Sequence, residues 1–352
     1  MDWTPRARLG VLWGAAVGLF LGMALAGAPA LAQQDFYKGK TIRIIVPLAA
    51  GGTYDIMSRL VAQHIGKHIS GNPSVIVENR PGGAYLIGAR AAYNAPADGL
   101  TLFHFPSTAV YGQLLGEVND VDFGKFEWLG SAGGAYYVLV ARSALPINSL
   151  DDLKKAKEPL NVGVLSPDSV ISATAKVARD MAGLNLKLIT GYNGANDIEL
   201  AARRSEVDGY TTADVTFLSS AITREMLESK FIRPVAVFGG SQPHPKYIAE
   251  LEKLPKIRDL VAPGLDQQAY DAFIGTFKIT RPFVVTPGTP PDRVAVLRKA
   301  LDATLREPEF LAAAEKGGFV LEPIGGEETG KLLGSIFNMS PAVKNRVSEL
   351  LK

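Results

Sequence analysis

The clearest pattern in the chain is a buried strand followed by a glycine turn and the start of a helix, within residues 41–62. Four β-branched residues are almost continuous, which is typical of a strand covered on both faces: Ile42, Ile44, Ile45 and Val46. Pro47 has no N–H for the next ladder position, so we expect the strand to end there. The helix is predicted to begin near Tyr54 or Asp55.

The turn after this strand has the composition of an anion-binding loop. Gly51 and Gly52 permit backbone conformations closed to other residues and leave amide N–H groups unpaired before the helix. These amides and the positive end of the helix dipole favour a carboxylate or phosphate at the strand's carboxyl end. The alternative is structural, because many such turns carry two glycines for packing. The predicted ligand contacts here are Leu48, Ala49, Ala50, Gly51, Gly52, Tyr54 and Asp55.

The rest of the chain alternates short apolar segments with segments of helical spacing, which predicts an α/β fold. We expect further strands at 75–77, 101–105, 136–140, 161–165, 186–189, 207–211, 234–238 and 277–285. We expect further helices at 84–93, 149–157, 197–205, 293–305 and 308–316, and one that ends near residue 182. A similar rhythm in both halves indicates two α/β domains that face one another. Domain 1 is predicted to comprise 33–138 and 240–352, and domain 2 to comprise 139–239.

Composition narrows the class of protein. With 352 residues and 47% hydrophobic residues, the chain is long enough for two ordinary cores. The formal net charge of +2, from 37 basic and 35 acidic residues, indicates no nucleic-acid partner. The chain has no cysteine, which excludes disulfides, thiolate metal sites, a cysteine nucleophile and a lipoprotein anchor.

The first 32 residues have the pattern of a secretion signal. Arg6 and Arg8 precede an apolar stretch at 11–26, and Ala30-Leu31-Ala32 fits a small-x-small cleavage site. We therefore expect cleavage after Ala32, a mature chain that begins at Gln33, and a periplasmic location. The alternative is an uncleaved membrane anchor, which the shortness of the apolar stretch disfavours.

Four motifs follow one another in a fixed order. They are Val-Pro-x-x-x-Gly-Gly-x-x-Asp at 46–55, Val-x-Val-Glu-Asn-Arg-Pro-Gly at 75–82, Ile-Gly at 87–88, and Asp-Gly-x-Thr-Leu at 98–102. This series resembles the extracytoplasmic solute-binding proteins of tripartite tricarboxylate transporters, often called the Bug family. The resemblance implies a two-domain periplasmic-binding-protein fold of type II-like organisation, with a ligand cleft between the domains.

The resemblance also implies a function. Such a protein closes on a small organic carboxylate and delivers it to the membrane permease subunits of a tripartite tricarboxylate transporter. It would need no cofactor and no metal, and we expect a monomer. We expect neutral donors in the cleft, because a buried arginine clamp would slow release. Beyond the glycine turn, the predicted ligand contacts are Ser107, Ser166, Asp168, Ser169, Tyr192, Asn193 and Asp214.

The chain departs from the family pattern in the second domain and at Tyr85. Usual members carry Ser-x-x-His-Leu in a loop where 164–174 has Pro167, Asp168 and no histidine. A carboxylate at Asp168 disfavours a citrate-like trianion and favours a ligand with an amine or hydroxyl. Tyr85 stands where the family has glycine, and either closes part of the cleft or packs against the protein.

Two other functional interpretations use the same fold. A sensor that presents the ligand to a membrane signalling partner would have the same cleft. An exported hydrolase would need a nucleophile and a base, and the chain has no Gly-x-Ser-x-Gly motif. His104 near Ser107 is the suggestive pair, and we interpret His104 as a core or rim residue.

A candidate metal pair lies on the first helix. His64 and His68 are four residues apart and share one helical face, which suits two ligands of a metal ion. The sequence shows no third ligand, so we interpret both histidines as part of a solvent-facing surface.

Overall fold

The computed structural model describes most of the chain after residue 35. The described residues are Met1, 36–83, 85–114, 116–147, 149–165, 169–192, 194–240, 243, 246–317, 319 and 321–351. The predicted signal segment and its cleavage after Ala32 lie outside the described residues, apart from Met1. Three predicted ligand contacts also lie outside them: Ser166, Asp168 and Asn193.

The strands of the described residues form two sheets. They are β1 (Thr41–Val46), β2 (Ser74–Asn79), β3 (Thr101–His104), β4 (Glu127–Ser131), β5 (Tyr136–Arg142), β6 (Leu160–Gly163), β7 (Leu186–Ile189), β8 (Gly209–Ala213), β9 (Ile232–Gly240), β10 (Pro282–Val285) and β11 (Ile324–Gly325). The first sheet has the order β11-β4-β10-β3-β1-β2, and the second has the order β7-β6-β8-β5-β9. Each sheet has three parallel strands, β2-β1-β3 in one and β7-β6-β8 in the other. Antiparallel strands complete both sheets.

The helices connect these strands. In the described residues they are α1 (Thr53–Ile65), α2 (Leu86–Tyr93), α3 (Val110–Leu114), α4 (Leu150–Lys155), α5 (Val170–Lys176), α6 (Ala195–Arg203), α7 (Thr216–Ser219), α8 (Ala221–Glu228), α9 (Ile248–Leu251), α10 (Leu265–Gly275), α11 (Pro291–Leu305), α12 (Pro308–Lys316), α13 (Gly326–Phe337) and α14 (Pro341–Leu351). A π-helical segment, Val177–Met181, extends α5. None of the described helices is long and apolar enough to cross a membrane.

The first sheet forms as its sequence pattern predicts. Strand β1 ends at Val46, directly before Pro47, and α1 begins at Thr53. One face of α1 carries Met57, Val61 and Ile65, which are buried in the same apolar cluster as β1. Apolar burial therefore fixes α1 behind the sheet and leaves its first turn at the carboxyl edge of β1.

The second sheet lies between residues 136 and 240 and has its own apolar cluster. Strand β8 runs between β6 and β5, where Gly209 faces both Val162 and Ala141. Helix α4 begins with the predicted cap, because Ser149 and Asp152 form a reciprocal capping box.

Two crossing segments join the sheets. The first, residues 132–135, leads from β4 to β5 and lies along residues 277–281. Three backbone hydrogen bonds hold them together: Ala132 N–H donates to Arg281 O at 3.0 Å, Thr280 N–H to Gly133 O at 3.0 Å, and Ala135 N–H to Phe277 O at 2.7 Å. The second is the end of β9, where Gly240 pairs with Tyr136. A Cβ at Gly240 would lie 2.0 Å from Ala135 O, so the two crossings touch.

The prediction was wrong near the return to the first sheet. Residues 277–279 were predicted as strand, but Thr276–Ile279 is a 3-10 helix that continues α10, and β10 begins at Pro282. Phe277 packs edge-on against Phe273 of α10 and lies 4.4 Å from the ring of Tyr137, which favours the helical continuation. Strand β4 was not predicted. Helix α11, predicted at 293–305, begins two residues earlier, at Pro291, and has no side-chain N-cap.

The close backbone approach of β8 to β5 gives a stability test. A Cβ at Gly209 would lie 2.3 Å from Val140 O, so we expect Gly209→Ala to lower the free energy of unfolding by about 1–3 kcal/mol. Urea unfolding followed by circular dichroism measures this change.

Gly334→Ala is the matched control. Gly334 lies within α13, and no atom lies within 4 Å of the position that a Cβ would take, so alanine should raise the free energy of unfolding by about 0.5–1 kcal/mol. A Gly209→Ala protein as stable as the wild type would contradict the pairing of β5 with β8.

Candidate functional site

The glycine turn is an exposed loop at the carboxyl end of β1. Ala49, Ala50, Gly51 and Gly52 are exposed, and Gly51 has a φ of +82°, which glycine adopts without strain. Leu48 is half-buried, and its carbonyl accepts a hydrogen bond from the Asn79 side chain at 3.0 Å. The loop is therefore held at its base and open to solvent at its tip.

Asp55 organises this loop from inside. Its side chain is buried, with 3% relative exposure, and Oδ2 accepts hydrogen bonds from Gly51 N–H at 2.8 Å and Arg59 Nε at 3.0 Å. Burial raises the pKa of Asp55, but the hydrogen bonds from Arg59 and Gly51 outweigh burial, so the pKa lies below its ordinary value. The Gly51 amide is thus engaged within the loop. Direct contact of Gly51 or Asp55 with a ligand stays a prediction.

Tyr54 connects the loop to residues 277–281, the stretch that bonds to the first crossing segment. Its hydroxyl donates to Thr280 O at 2.8 Å, and Thr280 in turn donates through Oγ1 to Gly133 O at 3.1 Å. The first turn of α1 therefore lies against the segment that joins the two sheets.

Ser107 and His104 lie beside this segment but have different partners. Ser107 is buried, and its hydroxyl donates to Thr276 O at 3.4 Å. His104 is fully buried, stacks on Phe283 at 4.0 Å, and places Nδ1 2.7 Å from Ser58 Oγ. The core interpretation of His104 agrees with this geometry. Ser58 is also fully buried, and its hydroxyl is engaged with His104.

Asp214 follows the carboxyl end of β8 and lies where β5 leaves the crossing segment. Its Oδ1 accepts from Val215 N–H at 2.9 Å and from Tyr136 N–H at 3.4 Å, and the residue is 2% exposed. Two backbone amides thus anchor the carboxylate at the edge of the second sheet that adjoins the first.

Ser169 and Tyr192 lie on loops of the second sheet. Ser169 caps α5, accepting from Ser172 N–H at 3.1 Å and donating to Ser172 Oγ at 2.9 Å. Tyr192 is half-buried against the apolar cluster of the second sheet. Their described contacts lie within that part of the chain, and their contact with a ligand stays a prediction.

The sequence analysis missed Arg281. This residue ends the stretch 277–281, directly before β10. Burial raises the pKa of Tyr54 and Tyr137 and lowers that of His104. The positive charge of Arg281 opposes the rise in the two tyrosines and adds to the fall in His104. Its Nη1 atom is buried and has no hydrogen-bond partner among the described residues. The expectation of neutral donors in the cleft stays a prediction. In the sequence, Arg281 carries no signal beyond standing before a proline.

Tyr85 lies close to the loop in an uncommon backbone conformation. Its φ is +77°, which is strained for a bulky residue and easy for the glycine of the family pattern. The ring packs partly against the core, and the hydroxyl is near enough to Tyr54 to raise its pKa. Packing against the protein is therefore part of its role.

The solvent-face interpretation of His64 and His68 is wrong. His64 Nδ1 lies 3.2 Å from Glu307 Oε1, His68 Nε2 lies 3.0 Å from Glu307 Oε2, and Lys67 bonds to the same carboxylate. Burial raises the pKa of Glu307, but these bonds lower it to about 2. His64, Glu307 and Glu309 are close enough to share a metal ion. The Lys67 ammonium already neutralises Glu307, which favours an ion-pair cluster.

Comparison with known proteins gives relatives in sequence. BugT of Bordetella pertussis is 34% identical over 142 residues, which are 40% of this chain and 42% of BugT. A second protein of the same organism, from the UPF0065 group, is 24% identical over 292 residues, 80% of each chain. The chain thus aligns with less than half of BugT. No family model matches the chain.

Solved structures share the fold. A TctC solute-binding protein from Polaromonas superimposes with a TM-score of 0.70 at 20% identity, over 90% of this chain and 99% of that one. MatC of Rhodopseudomonas palustris with bound malate gives 0.54 at 17% identity, over 89% and 99%. Another R. palustris protein, with adipate, gives 0.55 at 21% identity, over 89% and 97%. These likenesses confirm the predicted α/β fold of two-domain periplasmic binding proteins, and the chain is similar in sequence and fold to the Bug and TctC solute-binding proteins.

Proposed function

We propose that the chain is an extracytoplasmic solute-binding protein that captures a small organic carboxylate between two domains. Domain 1 would comprise 33–138 and 240–352, and domain 2 would comprise 139–239. Closure about the crossing segments would bury the ligand, and the closed form would deliver it to the permease subunits of a tripartite tricarboxylate transporter. The predicted signal segment supports a periplasmic location.

One observation carries this proposal: three separate parts of the chain converge where the first crossing segment, residues 132–135, bonds to residues 277–281. Tyr54, after the glycine loop, donates to Thr280 O, and Ser107, beyond the carboxyl end of β3, donates to Thr276 O. Asp214, beyond the carboxyl end of β8, accepts from Tyr136 N–H, directly after the crossing segment. In open α/β sheets, ligands bind at the carboxyl ends of strands. Here the carboxyl ends of strands from both sheets meet at one place.

The chemistry of the loop suits a carboxylate. Within the described residues, the amides of Ala50 and Gly52 have no hydrogen-bond acceptor, and both precede the positive end of the α1 dipole. The proteins of similar fold that were solved with malate and adipate carry ligands of this class. A reversible receptor needs such preorganised donors, and Asp55 holds them in place.

A thermal-shift screen tests the proposal. The chain from Gln33 would be melted with malate, adipate, citrate, benzoate and amino acids. An acid at about a hundredfold its dissociation constant should add about 2.7 kcal/mol to the free energy of unfolding.

The neutral amide of each acid is the matched control for the screen, because it keeps the size and loses the charge. Stabilisation by acids and not by their amides would support carboxylate capture. A panel in which no carboxylate raises the melting temperature would contradict it.

The loop makes a separate prediction with a defined pH dependence. Asp55→Asn should lower the free energy of unfolding by about 1–2 kcal/mol at pH 7, because the amide accepts weaker hydrogen bonds from Gly51 and Arg59. The folded pKa of Asp55 lies below the ordinary 3.8, so this stabilisation is present above pH 3.8. It is lost as the pH falls through the folded pKa, where wild type and variant should converge.

Asp302→Asn is the control for Asp55→Asn. Asp302 also pairs with an arginine four residues on, Arg306, but both side chains are about half exposed. Its loss should change stability by less than about 0.5 kcal/mol. Melting temperatures from pH 7 to pH 3 measure both variants, and a constant difference for Asp55→Asn across this range would contradict the assignment.

A further inference from the structure

The side chain of Arg281 presents a physical problem in the ligand-free protein. A guanidinium stays charged at all ordinary pH values, and its N–H groups need acceptors when they are buried. Arg281 is half-buried, and its Nη1 atom is buried without a hydrogen-bond partner among the described residues. None of the ion pairs of the described residues includes Arg281. The position therefore lacks a counter-ion.

The neighbours of Arg281 do not supply one. Burial raises the pKa of Tyr137 to about 12 and also raises that of Tyr54, so both phenols stay neutral. Burial, and then the charge of Arg281, lower the pKa of His104 to about 3, so this imidazole is neutral too. The rings around Arg281 are uncharged, which strengthens its attraction for an anion.

A second buried polar atom lies in the same group of rings. His104 Nε2 has no hydrogen-bond partner among the described residues, while Nδ1 lies 2.7 Å from Ser58 Oγ. In the tautomer in which Ser58 Oγ donates to Nδ1, the Nε2 atom carries the proton and is a neutral donor. A buried guanidinium nitrogen and a buried imidazole nitrogen that both lack partners are features that a bound anion would satisfy.

We propose that Arg281 and His104 form the seat for one carboxylate of the ligand, at the base of the cleft where the two sheets join. This inference rests on the proposed function and identifies the charged group within it. Arg281 ends the stretch 277–281, which bonds to the first crossing segment. Tyr54 connects the glycine loop to this stretch through its bond to Thr280 O. A carboxylate at Arg281 would therefore contact the element about which the domains close.

The charges around Tyr137 indicate the class of ligand. Asp214 Oδ1 accepts from Tyr136 N–H, directly before Tyr137, and Arg281 O accepts from Ala132 N–H of the segment that leads into β5. A negative and a positive side chain therefore lie near the start of β5, and their charges act in opposite directions on the pKa of Tyr137, which burial raises. Arg281 attracts a first carboxylate, and Asp214 repels a second. The ligand class is a monocarboxylate whose other end is neutral or carries an amine, in preference to a tricarboxylate.

Stability of the ligand-free protein tests the missing counter-ion. Arg281→Met keeps an apolar stem at this position and removes the charge together with the unpaired Nη1 atom. We expect the ligand-free variant to melt at a temperature equal to or higher than the wild type. A lower melting temperature would show that Arg281 holds the fold together, which would overturn the inference.

Binding tests the seat itself. The probes are propionate, the zwitterion alanine, malate and citrate, titrated by calorimetry against wild type, Arg281→Lys and Arg281→Met. We expect the monocarboxylates to bind more tightly than citrate, Arg281→Met to weaken them at least about tenfold, and Arg281→Lys to fall between. Arg306→Met, which removes an exposed and paired arginine, should bind as the wild type does.

The outcomes separate this inference from the proposed function. If the wild type binds carboxylates and Arg281→Met binds them equally well, the proposed receptor function is supported and the assignment of the carboxylate to Arg281 is wrong. If citrate binds more tightly than propionate and alanine, the assigned ligand class is wrong. If the wild type binds no carboxylate, the proposed function fails, and the seat fails with it.

Discussion

The structure depends on the backbone ladder between the first crossing segment and residues 277–281. Ala132, Gly133 and Ala135 bond to this stretch through main-chain atoms, and Thr280 Oγ1 adds a bond to Gly133 O. The side chain of Arg281 has none of these bonds and lies near Tyr54, His104 and Tyr137. The stretch 277–281 therefore both connects the two sheets and carries the charged side chain of Arg281.

The electrostatic character of this region follows from burial. In a low-dielectric environment, burial opposes charge on any group that can titrate, and Tyr54, Tyr137 and His104 all remain neutral for this reason. Arginine is the exception, since its proton is not lost. Arg281 is thus a fixed positive charge among neutral rings, and Asp214, anchored by two amides, is a fixed negative charge near Tyr137.

Much of the fold could be predicted because local pattern determines it. The β-branched run and Pro47 specify β1, and Ser149 specifies the start of α4, through interactions within a few residues. The prediction failed where a local pattern has two solutions. Phe277 and Ile279 alternate as in a strand, yet both are buried as part of a helical continuation of α10 that packs on distant rings.

The candidate site also has a part that could be predicted from local sequence and a part that could not. The glycine loop is visible in sequence because glycine has a backbone property of its own. The neighbours of Arg281 and the partner of His64 are not visible in sequence, because they are far away along the chain. Tyr54, which bonds to Thr280 beside Arg281, lies more than two hundred positions before it, and His64 lies 243 positions before Glu307. Burial of an arginine is a property of its neighbours, and composition alone gives no sign of it.

A guanidinium nitrogen that is buried without an acceptor, such as Nη1 of Arg281, costs free energy that a bound carboxylate would remove. The exposed glycine loop and the strained backbone of Tyr85 lie near Arg281, through Tyr54. The unpaired nitrogen and the strained backbone both lower the stability of the ligand-free protein. A receptor gains from this arrangement, because the free energy released when a carboxylate meets Arg281 is available to hold the two domains together.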